Sequence, residues 1–517
     1  MAQSTRTLII GSGVAGSLIA QEMLRKGHGP VVMLEAGPAV PMRDRRAWLD
    51  HVMNGRLPYT SLYDQPDDFS SSGVVPWQIT GGRIIGRGGS TLHWGGWAPR
   101  FQPEDFRLKS NTNQGMDWPF DYAALEPYYC KAEQFLQVAG DSTPPPFRSQ
   151  PYPFPPPPYP ALAAPIIQSL QSFGYSFQHM PMARNTEPIA GRPACVTTGT
   201  CDYCPIGARF TGDQPLERLE TDTRFTLQLH SAVRKILMSS RKQVTGVEYV
   251  DTRNGEVHTI EAEHVFICAG AIETPKLLLA SANTYWDTGI GNGADLVGRY
   301  LVASPFLSSQ AIASSNPNKL QAELNFPTLC TRQWDTASQQ AQGKVLVTAN
   351  YNTPFLNLGT LMNQGKTAEE MAAAATGSMK FELWGSLHEF SHAENRVQLG
   401  RETTRFGLPK TIIETPRATY DQQVAQGHLD NMKKILVQMG LTPVYEGIYP
   451  QRGDHAMGTT RMSASEADGV VTPDLRVHGV DNLYIASNSV FPSGAAANPT
   501  LTLVAVILKA LESFPVN

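Results

Sequence analysis

From Thr7 the chain reads Thr-Leu-Ile-Ile-Gly, a short unbroken apolar run that predicts a buried strand. A glycine turn follows, and Val14, Leu18, Ile19, Met23 and Leu24 then recur at helical spacing. Val31-Val-Met-Leu-Glu35 predicts a second strand. Residues 223–250 and 256–268 alternate as strands do and end in Glu263-His-Val-Phe-Ile-Cys-Ala-Gly270. Between 305 and 450 the pattern changes, with more polar and aromatic positions and an Ala-rich stretch, Thr367–Thr376, that predicts a short helix. Strand-like apolar residues return at 476–491, and Pro499 opens a long apolar helix to about Ser513.

A strand, glycine turn, helix and strand in that order predict an α/β fold, with a Rossmann-like nucleotide-binding domain assembled from separated segments. We place it at 1–304 and 451–517, interrupted by a substrate domain at 305–450. Residues 144–160 hold ten prolines and can be neither helix nor inner strand; an extended loop within a large enzyme is favoured over a ligand for a proline-binding module.

Composition narrows the picture. With 517 residues, 41% hydrophobic and 17% charged, the chain is globular in character. A net charge of −4 excludes the broad basic field of a dedicated nucleic-acid binder. No apolar run is long enough for a membrane span. The N-terminus lacks the pattern of an export signal, so a cytoplasmic location is expected, with export alongside a partner to the periplasm as the alternative.

Gly11-Ser12-Gly13-Val-Ala-Gly16 follows a strand and opens a helix, the setting in which this motif binds a dinucleotide. Gly11 permits the tight turn, Gly13 lets backbone N–H groups reach a pyrophosphate, and Gly16 lets the helix pack on the strand. Glu35 can accept from a ribose hydroxyl. The motif alone leaves FAD and NAD both open.

Other segments decide between them. Gly86-Arg87-Gly88-Gly89-Ser90-Thr-Leu-His93-Trp-Gly96, Asp117-Trp-Pro, Pro127-Tyr-Tyr-Cys-Lys-Ala-Glu133 and Ala269-Gly-Ala-Ile-Glu-Thr-Pro275 appear in that order. Asn395-Arg-Val-Gln-Leu399, His455-Ala-Met-Gly-Thr-Thr-Arg461, Gly479-Val-Asp-Asn-Leu-Tyr-Ile-Ala486 and Asn498-Pro-Thr500-Leu-Thr502 follow. Together they resemble the glucose–methanol–choline (GMC) family of FAD-dependent oxidoreductases over nearly the whole chain. The sugar-oxidising members are most similar, among them pyranose oxidase and the bacterial glucose, fructose and gluconate dehydrogenase large subunits. The resemblance implies FAD bound in extended form, roofed by an α+β substrate domain built on an antiparallel sheet. It also implies oxidation of an alcohol, with a sugar, glycoside or polyol favoured over an aromatic alcohol or a biosynthetic intermediate. The electron acceptor is oxygen, a quinone or a cytochrome partner, and an electron-transfer subunit is the reading from another class.

Alcohol oxidation by a flavin needs a base at the hydroxyl and a hydride acceptor facing its carbon. By resemblance His455 takes the proton and Asn498 hydrogen-bonds the substrate oxygen. Asn498 before Pro499 also reads as an N-cap followed by proline at the first helical position, which would turn the helix N-terminus toward the flavin. The segment around Arg87, Gly88, Gly89 and Ser90 is expected at the phosphates and ribityl chain, Val233 at the adenine and Thr500 at the flavin. His93, in a His-Trp pair like that of covalent flavoproteins, is either a covalent flavin anchor or a stacking and hydrogen-bonding partner. Two departures stand out: Ala486-Ser-Asn-Ser489 lacks an acid that many relatives carry, and Ala303-Ser304 replaces Asp-His.

Cys195, Cys201 and Cys204 lie within ten residues of each other in the loop 193–212. An iron–sulfur cluster, a zinc site completed by His179, and a disulfide or free thiols are the competing expectations. Cys130, Cys268 and Cys330 read as isolated buried thiols.

Overall fold

The computed structural model describes residues 3–62, 65–74, 77–141, 147–159, 163–313, 328–352, 358–375, 379–404, 407–449 and 451–516. Strand β1 (Gln3–Ile10), helix α1 (Val14–Arg25) and strand β2 (Val31–Leu34) form the expected opening unit. The apolar face read from the periodicity of α1 is buried, and every residue of β2 is buried. A strand covered on both faces needs such a continuous apolar run.

β1 lies between β2 and the strand Val257–Ile267, parallel to both, and Phe225–Gln228 extends the sheet beyond β2. The other edge of Val257–Ile267 forks. Its first half pairs antiparallel with Gln243–Asp251, which pairs with Ser231–Ser240, and its second half pairs parallel with Leu483–Ile485. Asn482 sits at the fork. Its carboxamide donates to the carbonyls of Val244 and Glu263, both at 2.8 Å, and accepts from Val244 N–H at 2.9 Å. A polar side chain at that point in Gly479–Ala486 thus replaces the ladder bonds that the fork interrupts.

A second sheet has strand order Thr442–Ile448, Phe306–Ala313, Met379–Leu387, Val345–Asn352, Leu329–Trp334 and Gln178–His179, all pairs antiparallel. One face carries Leu307, Ala311, Phe381, Leu383, Val345 and Val347, packed on Leu429, Met432 and Ile435 of the helix Gln422–Gln438. On the opposite face, Phe306, Leu346 and Trp384 meet Trp97, Met182 and Ala496. The hairpin Arg396–Thr403/Pro409–Thr415 instead pairs with Phe69–Gly73, and its Val397 and Ile413 pack on Ala271 and Ile272.

The Ala-rich stretch is helical over Ala368–Ala375. Of the proline-rich segment, residues 147–159 run without helix and are tied to the body by a bridge between Phe154 and Ala139 and by Arg148 on Glu133; residues 144–146 and 160 lie outside the described residues. Glu133, from one of the motif segments, is structural. It is 1% exposed and takes hydrogen bonds from both Arg100 and Arg148. The C-terminal helix begins at Thr500 with Pro499 at its cap, one residue later than expected. Asn498 does not cap it, because its side chain is engaged elsewhere.

Candidate active site

The carboxyl ends of the parallel strands open on one cavity of about 840 Å³, the place where ligands bind in open α/β sheets. Gly11 after β1, Glu35 after β2, Cys268 and Ala269 after Val257–Ile267, and Ala486 after Leu483–Ile485 all line it.

Gly11 has φ +102°, and a Cβ there would lie 2.7 Å from the Cys268 carbonyl oxygen, so only glycine makes the turn. A Cβ on Gly16 would lie 2.0 Å from the Gly11 oxygen, which fixes the close approach of α1 to β1. Gly13 is different: a Cβ there would meet no protein atom, because the space beyond it is cavity. α1 starts at that point with no acidic residue in its first turn, leaving its N-terminal partial charge for an anion. Glu35 Oε2 accepts from Ser12 N–H (3.0 Å) and Ser12 Oγ (2.7 Å), and Oε1 accepts from Gly37 N–H (3.0 Å). A carboxylate has about four acceptor sites, so capacity for a ribose hydroxyl remains.

Ser12, Gly89, Ser90, His93, Val233 and Thr500 also line the cavity. Arg87, Gly88 and Gly16 do not. The Arg87 guanidinium turns away to Glu220 at 2.8 Å, and Gly88 is backed by Leu92 and Asp213, its N–H donating to Ser12 Oγ at 3.3 Å. Those three positions shape the wall from behind.

In the wall of the same cavity, Asn498 Nδ2 is 3.0 Å from His455 Nε2. His455 ends the short turn Gly453–His455, and the Phe306 ring stands over it at 5.4 Å between centroids. Phe306, Trp384 and Tyr449 form the wall contributed by the second sheet. Arg83, Glu273 and Lys276 form a charged wall. Glu273 accepts from Lys276 (2.8 and 3.0 Å) and Arg83 (3.2 Å). Burial opposes its charge, but Lys276 and Arg83 hold its carboxyl at about 2. At the departures, Ser487 and Asn488 occupy the cavity wall, while Ala303 N–H donates to Glu389 and Ser304 Oγ to the Ala495 carbonyl.

The residues fit a dinucleotide that continues into a planar head group. Gly13 leaves an open cradle, and Asn488 Oδ1 and Asn498 Oδ1 are buried in the cavity wall with no hydrogen-bond partner among the described residues. Orphaned acceptors of this kind call for donors from a ligand.

The cysteine loop does not fit a metal. Among the described residues no group of three or more His, Cys, Asp or Glu is arranged to hold an ion. Instead Arg184 donates to Cys195 Sγ (3.4 Å) and Cys201 Sγ (3.2 Å), so a cation already answers two of the three thiols. Burial opposes the Arg184 charge, yet the two thiols raise its pKa. Cys204 is half-buried; burial opposes its thiolate, but backbone N–H groups of Arg209 and Ile206 and the Arg209 and Arg184 guanidiniums lower its pKa. All six cysteines are free. His179 meets Asp141 through Nδ1 at 2.6 Å and stacks on Tyr159, and it belongs to no metal-holding group among the described residues. The loop supports the cavity: Arg209 donates to the carbonyls of Leu92 and Trp94, on either side of His93.

Sequence reasoning missed Phe306, Trp384, Tyr449, Arg83, Glu273 and Lys276. The alternation Phe306-Leu-Ser-Ser-Gln310 carried a usable signal for the first of these, since its even positions are aromatic or polar and Leu307 is apolar.

Residues 157–302 and 391–506 each match a family model described as GMC oxidoreductase. The chain is similar to the fructose dehydrogenase large subunit of Gluconobacter japonicus, 28% identical over 99% of this chain and 97% of that one. It is similar also to 6'''-hydroxyparomomycin C oxidase of Streptomyces lividus, 27% identical over 97% of this chain and 89% of the relative. Among solved structures, pyridoxine 4-oxidase from Mesorbium loti has the same fold, with a TM-score of 0.68 at 19% identity over 98% of this chain and 99% of that chain. No helix among the described residues is long and apolar enough to cross a membrane.

Proposed function

This chain belongs to the GMC oxidoreductase family of FAD-dependent enzymes, and from that premise we propose that it oxidises an alcohol on a sugar, glycoside or polyol, with His455 as the base. The observation that carries the site assignment is the 3.0 Å contact between Asn498 Nδ2 and His455 Nε2, in the wall of the same cavity that the dinucleotide motif lines. When bound, FAD supplies the hydride acceptor; Gly11, Ser12, Gly13, Glu35, Gly89, Ser90, Val233 and Thr500 would hold it.

The protein's part is proton handling and orientation. Asn498 Nδ2 can only donate, so His455 Nε2 carries a lone pair and no proton. A substrate hydroxyl entering between them donates to Nε2 and accepts from Nδ2, and Nε2 takes its proton as the carbon is oxidised. Phe306 and Trp384 exclude water from that side and give the substrate a flat apolar wall. His93, between Ser90 and Trp94 on the cavity wall, would carry the cofactor if it is attached covalently and would stack on or hydrogen-bond to it otherwise. Flavin colour that stays with acid-precipitated protein would support that attachment, and its release would oppose it.

The sugar assignment draws on the Asn at position 498 and on two relatives named for fructose and for hydroxyparomomycin C. Its test is anaerobic mixing of the yellow holoprotein with panels of sugars, glycosides and aryl alcohols. Bleaching by a carbohydrate is expected. Bleaching by aryl alcohols alone would replace the substrate assignment.

A further inference from the structure

We infer that Cys204 is a modification site, a thiolate held by buried guanidiniums and oxidised reversibly by a hydroperoxide. The placement starts from a bridge. Arg184 and Arg209 stand directly opposite each other in an antiparallel pair. Residues so opposed send their side chains to one face, with Cβ atoms about 5 Å apart. Arg184 is 2% exposed and Arg209 1%. Like charges placed side by side repel, and burying them without counter-charge is costly.

Among the described residues no carboxylate forms an ion pair with either of them. Arg184 donates to Cys195 Sγ (3.4 Å) and Cys201 Sγ (3.2 Å), and Arg209 to the carbonyls of Leu92, Trp94 and Asp202. The nearby carboxylates act elsewhere: Asp213 and Glu217 meet Arg43, and Asp202 acts on His51. Other buried cations are answered by acids. Arg100 and Arg148 share Glu133, and Lys344 has Asp105 and Asp335. For Arg184 and Arg209 the groups left to supply negative charge are the sulfurs of the loop. Arg192 is a third guanidinium that acts on the Cys204 charge; burial, Arg218 and Arg43 lower its own pKa to about 10.

Cys204 is where these charges converge. Burial opposes its thiolate, but the N–H groups of Arg209 and Ile206 and the guanidiniums of Arg209 and Arg184 favour it. The thiolate is the reactive form of cysteine, and cationic neighbours populate it near neutral pH. Cys204 is half-buried in a loop whose Val196 is 67% exposed, whereas Cys201 is buried. Cys268 and Cys330 are buried too, and burial pushes both thiols up, that of Cys330 to about 12. In the oxidation the Cys204 sulfur attacks one oxygen of hydrogen peroxide. The S–O bond forms as the O–O bond breaks, sulfur gives up two electrons, and the departing hydroxide takes the sulfenic acid proton and leaves as water. The sulfenate product keeps the negative charge that the guanidiniums balance. Arg209 also braces the carbonyls of Leu92 and Trp94, so this sulfur and the cavity wall at His93 share one side chain.

The test uses the flavin-loaded protein, and its first arm needs no variant. Iodoacetamide labelling of Cys204, followed by peptide mass spectrometry, is timed at pH 6.5 and 8.5. An ordinary thiol, titrating near 8.5, reacts about 50-fold faster at the higher pH. Cys204 should gain less than about tenfold, as a thiol titrating below about 7.5 does. Arg184→Met, with flavin content confirmed by absorbance, should bring the gain to tenfold or more, and Arg184→Lys should keep it small. Hydrogen peroxide followed by dimedone should tag Cys204, dithiothreitol added before dimedone should erase the tag, and Cys204→Ser should lack it. A wild-type gain of tenfold or more, or no labelling of Cys204 in the folded protein, would overturn the inference. So would a dimedone tag that is absent or sits on another cysteine of the loop. A gain unchanged in Arg184→Met would overturn the role of the guanidinium. Every arm reads the sulfur directly and stands apart from whether the enzyme oxidises alcohols.

Discussion

Asn498 Nδ2 stands 3.0 Å from His455 Nε2, although 43 residues separate them in the sequence. The carboxamide nitrogen donates, so the contact selects the imidazole tautomer with its proton on Nδ1 and its lone pair facing the substrate position.

That contact makes position 498 sensitive in two separable ways. Asn498→Ala removes one donor to an oxygen that gains negative charge, and should lower kcat/KM about 10- to 150-fold, the equivalent of about 1.5–3 kcal/mol. Asn498→Asp replaces the donor with a carboxylate beside the ring, which stabilises imidazolium. The acid limb of the kcat/KM–pH profile should then move to higher pH. A profile that stays in place in Asn498→Asp would separate the two residues functionally.

Lys344 is 0% exposed and holds Asp105 at 2.7 Å and Asp335 at 2.9 Å, joining the 103–107 turn of the first domain to the second sheet. Lys344→Met would leave Asp105 buried without its cation. A loss of about 3–5 kcal/mol is expected, read as a lower midpoint in urea with flavin-depleted and flavin-loaded protein alike.

His388 is 1% exposed, and both its ring nitrogens lack a hydrogen-bond partner. Burial, reinforced by the Lys344 charge, lowers its pKa from 6.5 to about 3. The unfolded chain therefore binds a proton at this site between about pH 6.5 and 3 while the folded protein does not. Stability should be fully retained above pH 6.5 and fall through that window, by up to about 1.4 kcal/mol per pH unit from this group. His388→Leu should flatten the dependence of Tm on pH between 7 and 4. An unchanged slope would mean that other groups govern acid unfolding.

The Arg184 guanidinium between Cys195 and Cys201 leads to a chemical expectation. Purified holoprotein should contain iron and acid-labile sulfide far below one equivalent per chain, and its visible spectrum should be that of flavin alone. Stoichiometric iron and sulfide would require the loop to rearrange around a cluster.

How much of this was legible in the sequence depends on how local each cause is. Gly11 and Gly16 could be read because their requirements, a positive φ and a close helix–strand approach, are set within a few residues. α1 and β2 were legible for the same reason. Asn498 shows the limit. Its residue type suits a cap, but a non-local partner, His455, takes the side chain and the helix starts at Thr500. Arg87 looked like a phosphate ligand by its glycine-rich setting and is drawn off by Glu220, 133 residues away. Trp384 and Tyr449 could not be placed from the sequence at all, since the face Trp384 presents is fixed by strands far apart in the chain and Tyr449 is set by its backbone bond to Phe306. The cysteine spacing suggested a metal because spacing does not reveal Arg184, eleven residues before Cys195, which donates to both Cys195 and Cys201.

The account is tested most directly by the rate of anaerobic flavin reduction in His455→Ala, mixed with a carbohydrate that reduces the wild type. The variant should bind FAD stoichiometrically, since the places of Gly11, Ser12 and Glu35 are held by contacts that do not involve His455. Its reduction should slow about 100- to 10,000-fold, the range a positioned general base contributes. Reduction at near wild-type rate in a fully flavin-loaded His455→Ala protein would contradict the assignment.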